Sequence, residues 1–230
     1  MGNVKVVAFD IDGTLADVDN ILNLSDDCVY NLVKSSFPRI QLTSPNQITN
    51  MIMERTMDPQ NTLPVGAQRM KLYEELACDA GYPKEVGSIL YQAWQERRNQ
   101  YAFYPHAVEL LQYLHNNGYT TIVITDGTAD FSYHPEICSS VDLFINPQSH
   151  NCTKTDGTSY EYVLQSMNEV HPREFLMVGD NPISDIANAA KYGWRTMLIA
   201  PYDYRGIHPD YRVACVGDFL SLLKKEYDCL

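Results

Sequence analysis

The sequence predicts an α/β protein, a parallel sheet flanked by helices and interrupted once by a purely helical insertion. Three observations predict it. Short, mostly apolar runs at 4–9, 120–125, 174–178 and 195–199, the first of them rich in β-branched residues, suit strands buried on both faces. Amphipathic helical patterns lie between most of them, and such alternation implies right-handed parallel crossovers. Residues 19–102, by contrast, show helical periodicity and no strand pattern.

The first strand, 4–9, runs into Asp10-Ile11-Asp12-Gly13-Thr14. Side chains two apart on an extended chain point the same way, so Asp10 and Asp12 leave the strand end together. A strand entering an Asp/Gly turn has the same spelling. Two like charges that close also repel, which favours a cation between or beside them. A short polar loop, 16–20, leads to the insertion. Val29, Leu32 and Val33 mark its first helix, closed before Pro38. Ser44-Pro45-Asn46-Gln47 reads as a capping box with Pro at the first helical position, followed by Ile48, Met51 and Ile52 on one face. A third helix runs from near Pro64 to Gly81, with Met70, Tyr73 and Ala77 as its stripe. The fourth starts at Pro83, and Val86, Ile89, Leu90, Ala93 and Trp94 recur at helical spacing. Arg97, Arg98 and Tyr101, at the end of the insertion, could face a ligand, but they read first as an exposed helix end. The insertion at 19–102 is thus a self-contained helical unit, a separate small domain or a lid that caps the rest, leaving 1–18 and 103–230 as the core domain.

The α/β pattern then resumes. Pro105 opens a helix with Val108, Leu111 and Leu114 inward, ending at Asn117-Gly118. The strand at 120–125 stops at Asp126-Gly127. A helical stretch at 131–139, a short strand at 141–145 and a loop at 146–157 carrying Lys154 follow. Residues 160–167 are helical, and the strand at 174–178 ends in Gly179-Asp180. A helix over 186–192 is closed by Gly193. The strand at 195–199, an edge strand within 211–216 and an amphipathic helix over 219–227 complete a Rossmann-like sheet.

Seventeen Lys and Arg stand against 29 Asp and Glu, a formal charge of -12 in 230 residues. That excess argues against nucleic-acid backbones and anionic membranes as partners. No apolar run approaches the ~18 residues of a membrane span, and the chain enters its first strand without a signal-like region. A soluble cytoplasmic protein, monomer or homodimer, is expected. Cys28, Cys78, Cys138, Cys152, Cys215 and Cys229 form no CxxC pair and read as idle reduced thiols. The histidines show no metal spacing.

Three strands end in polar groups with a glycine alongside: Asp10/Asp12, Thr125/Asp126, and Asp180 with Asp185. In a parallel sheet these ends share the edge where open α/β folds bind ligands. Four carboxylates with few softer ligands select a hard ion, Mg²⁺. A phosphate bound there needs a local cation, because the overall charge opposes it. Between Gly127 and Gly179 the only basic residues are Lys154 and Arg173, and Arg173 lies at the far end of its strand.

The pieces Asp10-Ile11-Asp12-Gly13-Thr14, Ile124-Thr125-Asp126-Gly127, Lys154 and Gly179-Asp180-Asn181-Pro182-Ile183-Ser184-Asp185, in this order, resemble the haloacid dehalogenase superfamily. The resemblance is to its phosphatase type with an α-helical (C1-type) cap, and covers the whole core. It implies Mg²⁺-dependent hydrolysis of a small phosphorylated metabolite through an aspartyl-phosphate, with the cap closing over the substrate. It implies that Asp10 is the nucleophile and Asp12 the general acid and base. Thr125, with Asp126 and Gly127, would bind the phosphoryl group, and Lys154 would neutralise it while orienting Asp10. Asp10, the Asp12 backbone carbonyl and Asp180 would hold Mg²⁺, with Asp185 behind them. An acid at Asp12 fits phosphoryl chemistry, since relatives that cleave carbon–halogen bonds usually lack it. Two features depart from the pattern. Asp126 stands where many relatives carry Asn, a carboxylate unfavourable beside phosphate unless it turns away. Thr155-Asp156-Gly157 replaces the common Pro-Asp-Pro after the lysine. A phosphomutase of the same fold and a catalytically idle binding protein are the alternatives, and the presence of Asp12 weighs against the second.

Overall fold

The structure, a computed structural model, describes residues 2–57, 63–202 and 204–227. It divides into two compact units, Met1–Asp17 with Ala102–Leu230, and Val18–Tyr101. The chain begins with β1 (Val6–Phe9) and β2 (Ala16–Asp17). The helical unit follows, as α1 (Asp19–Ser36), α2 (Gln47–Thr56), α3 (Val65–Asp79) and α4 (Glu85–Arg98). The first unit then continues as β3 (Ala102–Phe103), α5 (Ala107–Asn116), β4 (Thr120–Ile124), α6 (Pro135–Cys138), β5 (Leu143–Ile145) and α7 (Pro147–His150). It ends with α8 (Thr158–Ser166), β6 (Phe175–Gly179), α9 (Asn188–Lys191), β7 (Arg195–Ile199), β8 (Tyr211–Val213) and α10 (Val216–Tyr227).

Six strands form one parallel sheet in the order β5-β4-β1-β6-β7-β8. The residues of β1 are all buried, as an apolar β-branched run in a doubly covered sheet requires. Val6 and Ala8 face a cluster containing Ile122, Ile124, Tyr160, Val163 and Trp194. On the opposite side the Phe9 ring lies 6.3 Å from Phe219 of α10. Residues 16–17, expected as loop, instead pair antiparallel with β3. No helix among the described residues is long and apolar enough to cross a membrane. The five described cysteines outside any disulfide are Cys28, Cys78, Cys138, Cys152 and Cys215; Cys229 lies outside the described residues.

The helical unit corrects three expectations. The α2 helix starts later than the capping-box pattern placed it. The Gln47 side chain does reach back, but it accepts from the Thr43 N–H at 2.7 Å and the Thr43 hydroxyl at 2.9 Å, not from Ser44. Ile89 is 49% exposed, because α4 turns Val86, Gly87, Leu90 and Trp94 inward. A Cβ on Gly87 would sit 2.5 Å from the Glu74 nitrogen, so only glycine lets α3 and α4 approach this closely. Arg98 and Tyr101 are buried, with the guanidinium 5.5 Å from the tyrosine ring centre, so this helix end is not solvated.

A polar network fixes the helical unit from inside. Asp26 accepts from Arg69 at 3.2 Å, from Trp94 at 3.1 Å and from Thr49, while Arg69 also donates to the Thr49 hydroxyl at 2.9 Å. One side chain from each of the four helices takes part, and Asp26 and Arg69 are each 4% exposed. Arg69→Met leaves the Asp26 charge buried without its partner, a loss expected to be about 3–5 kcal/mol. Urea unfolding of the variant checks this, and a midpoint equal to wild type would contradict it.

Candidate active site

Three motif-bearing strands are neighbours in the sheet. β1 lies between β4 and β6, with Phe9 opposite both Val123 and Val178. Continuing that register puts Asp10 beside Ile124 and Gly179, with Thr125 and Asp180 one residue further. β1 ends because residues 11–16 close into a tight turn. The N–H groups of Thr14, Leu15 and Ala16 all donate to the Ile11 carbonyl, and the Gly13 N–H donates to the Ala16 carbonyl at 2.9 Å. Gly13 has a φ of 85°, and a Cβ there would sit 2.5 Å from Asp180 Oδ2. Gly179 answers the same need from β6, since a Cβ on it would overlap the Asp185 carboxylate. Both motif glycines therefore make room for an acid.

Carboxylate oxygens of Asp10, Asp180 and Asp185 lie within 4.8 Å of one another. The Lys154 ammonium stands among them, donating to Asp10 Oδ1 and, at 2.6 Å, to Asp185 Oδ1. Lys154, Asp10 and Asp185 are buried, and Asp180 is half-buried. Asp185 also accepts from the Asn181 N–H at 3.0 Å. The Thr14 hydroxyl lies between two of the acids, 3.5 Å from Asp10 Oδ2 and 3.4 Å from Asp180 Oδ1.

Burial pushes the Asp10 carboxyl well above the usual carboxylate range; Lys154 opposes the shift, while Asp185 and Asp12 add to it. Burial also raises Asp180, helped by repulsion from Asp185. Burial pulls Lys154 down, but the attraction of Asp10 and Asp185 outweighs it and keeps the amine an ammonium. Three carboxylates thus face one cation. The surplus negative charge and the all-oxygen donor set suit a hard divalent cation such as Mg²⁺.

Asp10, Lys154, Asp180 and Asp185, expected together from the sequence, do come together. Asp12 is half-buried, and its carboxylate is not one of the three clustered acids. Thr125 is buried at the same edge, and its hydroxyl oxygen accepts from the Gly127 N–H at 2.9 Å. That bond turns the Gly127 amide inward and leaves the Thr125 hydroxyl proton to donate elsewhere. Asp126, expected to bind substrate, faces the lysine loop. Its Oδ1 accepts from the Lys154 N–H at 2.6 Å, and its Oδ2 from the Thr155 N–H at 2.9 Å and hydroxyl at 2.7 Å.

The Thr-Asp-Gly sequence after Lys154 forms a turn closed by the Gly157 N–H on the Lys154 carbonyl at 3.2 Å, with Gly157 at a φ of 87°. The stretch after Asp180 also differs from the expected helix at 186–192. The Asn181 side chain accepts from the N–H groups of Ile183 and Ser184, starting a π-helical turn at Pro182–Ala187 that places Asp185 over the site. Thr14, Asn188 and Tyr160 were given no role by sequence reasoning. Asn188 donates to the carbonyls of Lys154 and Thr155, each at 2.9 Å, and the buried Tyr160 hydroxyl donates to the Ser184 carbonyl at 2.7 Å.

The chain is 23% identical over 237 residues to the glyceraldehyde 3-phosphate phosphatase of Pyrococcus furiosus, covering 98% of this chain and 95% of that one. It is 26% identical over 228 residues to a phosphoglycolate phosphatase of Vibrio vulnificus, covering 95% and 92%. Among solved structures, the 2-haloacid dehalogenase of Pseudomonas syringae pv. Tomato DC3000 superposes with a TM-score of 0.84 at 21% identity, covering 96% of this chain and 99% of that one. Residues 4–193 match the model of the haloacid dehalogenase-like hydrolases, and the chain belongs to that family.

Proposed function

We propose that this hydrolase is a Mg²⁺-dependent phosphatase acting on a small phosphorylated metabolite. The observation that carries the reading is the cluster of Asp10, Asp180 and Asp185, with the Lys154 ammonium bonded to Asp10 and Asp185. An oxygen of Asp10 attacks phosphorus, the ester P–O bond breaks, and Asp12 protonates the departing oxygen. Asp12 then takes a proton from water as that water attacks phosphorus, releasing inorganic phosphate and restoring Asp10. Lys154 orients Asp10 and offsets charge on the phosphoryl oxygens, and the Thr125 hydroxyl donates to them. Asp10, Asp180 and the Asp12 carbonyl would hold Mg²⁺, with Asp185 behind, and the ion would supply charge neutralisation for the incoming phosphate. Uncatalysed monoester hydrolysis is slow enough that the site must supply on the order of 20 kcal/mol. The small phosphorylated compounds named for the Pyrococcus and Vibrio relatives support a substrate of that size. The acidic surplus and Asp12 favour phosphoryl chemistry over the dehalogenation named for the Pseudomonas neighbour.

The test offers p-nitrophenyl phosphate and, separately, 2-chloropropionate to the full chain. Phosphate release with Mg²⁺, lost with EDTA and regained with added Mg²⁺, is expected. Chelator-insensitive turnover, or chloride release without phosphate release, would overturn the proposal.

A further inference from the structure

We infer that Asp126 and Asn188 are positioning residues that clamp the Lys154–Thr155 dipeptide and thereby aim the Lys154 ammonium at Asp10. Four backbone groups of this dipeptide are held by two side chains. Asp126 takes both N–H groups, at 2.6 and 2.9 Å, and Asn188 donates to both carbonyls, at 2.9 Å each. The two holders come from opposite sides of the site. Asp126 immediately follows Thr125 at the end of β4, whereas Asn188 opens α9, three residues after Asp185. Lys191 fixes Asn188 in turn, donating to its Oδ1 at 2.7 Å, which leaves the Asn188 Nδ2 protons for the two carbonyls.

The residue types follow from the donors. Two convergent N–H groups need an acceptor at each end, which a carboxylate provides and a carboxamide does not. An asparagine at 126 would turn its NH₂ towards either the Lys154 or the Thr155 N–H. The acid that looked misplaced beside a phosphate therefore spends both oxygens on the loop. Such a loop needs fixing because Lys154 carries its charge into a buried site of three acids. A shift of about 1 Å in the reacting geometry can cost on the order of 100-fold in rate.

The kinetic arm rests on the phosphatase reading; the structural arm does not. Asp126→Asn is expected to lower kcat on p-nitrophenyl phosphate by about 10- to 100-fold, and Asn188→Ala to act in the same direction through the other side of the clamp. Because both work through the lysine, Asp126→Asn placed in a Lys154→Met background is expected to cost nothing further. Undiminished kcat in both single variants, or losses of Asp126→Asn and Lys154→Met that multiply, would overturn the inference. If wild type releases no phosphate from any substrate, the phosphatase reading fails, and crystal structures of wild type and Asp126→Asn decide the clamp. Displacement of the Lys154 ammonium from Asp10 is expected, and an unmoved ammonium would overturn it.

Discussion

Asp10→Asn is expected to remove phosphatase turnover by on the order of 10,000-fold or more, as loss of a nucleophile does when the remaining machinery cannot substitute for it. The carboxamide matches the carboxylate in size, so the turn at 11–16 and the Gly13 contact with Asp180 have no reason to move. The variant is also expected to be at least as stable as wild type at neutral pH. Burial raises the Asp10 carboxyl above its unfolded value, so the folded chain holds that proton more tightly than the unfolded one. The associated stability is present below the ordinary carboxylate range and is lost as pH rises through the elevated value. An amide does not titrate there, so the variant lacks this fall. Thermal unfolding across pH beside a phosphate-release assay reads both effects. An inactive variant less stable than wild type at neutral pH would mean that the Lys154 pairing outweighs the burial of Asp10.

Lys154→Met is expected to lose activity by about 100- to 1,000-fold, the scale of one charge-stabilising donor. Unlike Asp10→Asn, it is expected to lose stability too. Asp10 and Asp185 would remain buried with their shared ammonium gone, and removing one partner of a buried ion pair costs about 3–5 kcal/mol. Chemical unfolding and turnover measured together check this. One variant inactive yet stable, the other inactive and weakened, is a pattern that general damage to the fold would not produce. A Lys154→Met variant with wild-type stability would show that the pair contributes nothing net to the fold.

What the sequence made legible was chiefly what local pattern controls. The buried strands announced themselves by short apolar runs, and Asp10 and Asp180 followed because they stand where those runs stop. Lys154 could be found by elimination, since few cations exist between the second and last motifs. Contacts set by distant partners could not be read. Asp126 beside a phosphate site looks unfavourable until its oxygens are seen on the Lys154 and Thr155 amides, 28 and 29 positions along the chain. Nothing in the local pattern marks Arg69 as buried, yet it pairs with Asp26 inside the helical unit, 43 positions away. The stripe containing Ile89 failed for a similar reason, because Gly87 lets α3 come close and turns the buried face. Helical periodicity likewise missed the π turn at Pro182–Ala187, which the Asn181 side chain starts.

The most direct measurement acid-quenches wild type during turnover of an aryl phosphate with Mg²⁺ and maps the modified peptide by mass spectrometry. A phosphoryl group on Asp10, absent from Asp10→Asn, is the expected result. Phosphate released at full rate with Asp10 unmodified throughout, or the group found on another side chain, would contradict the account.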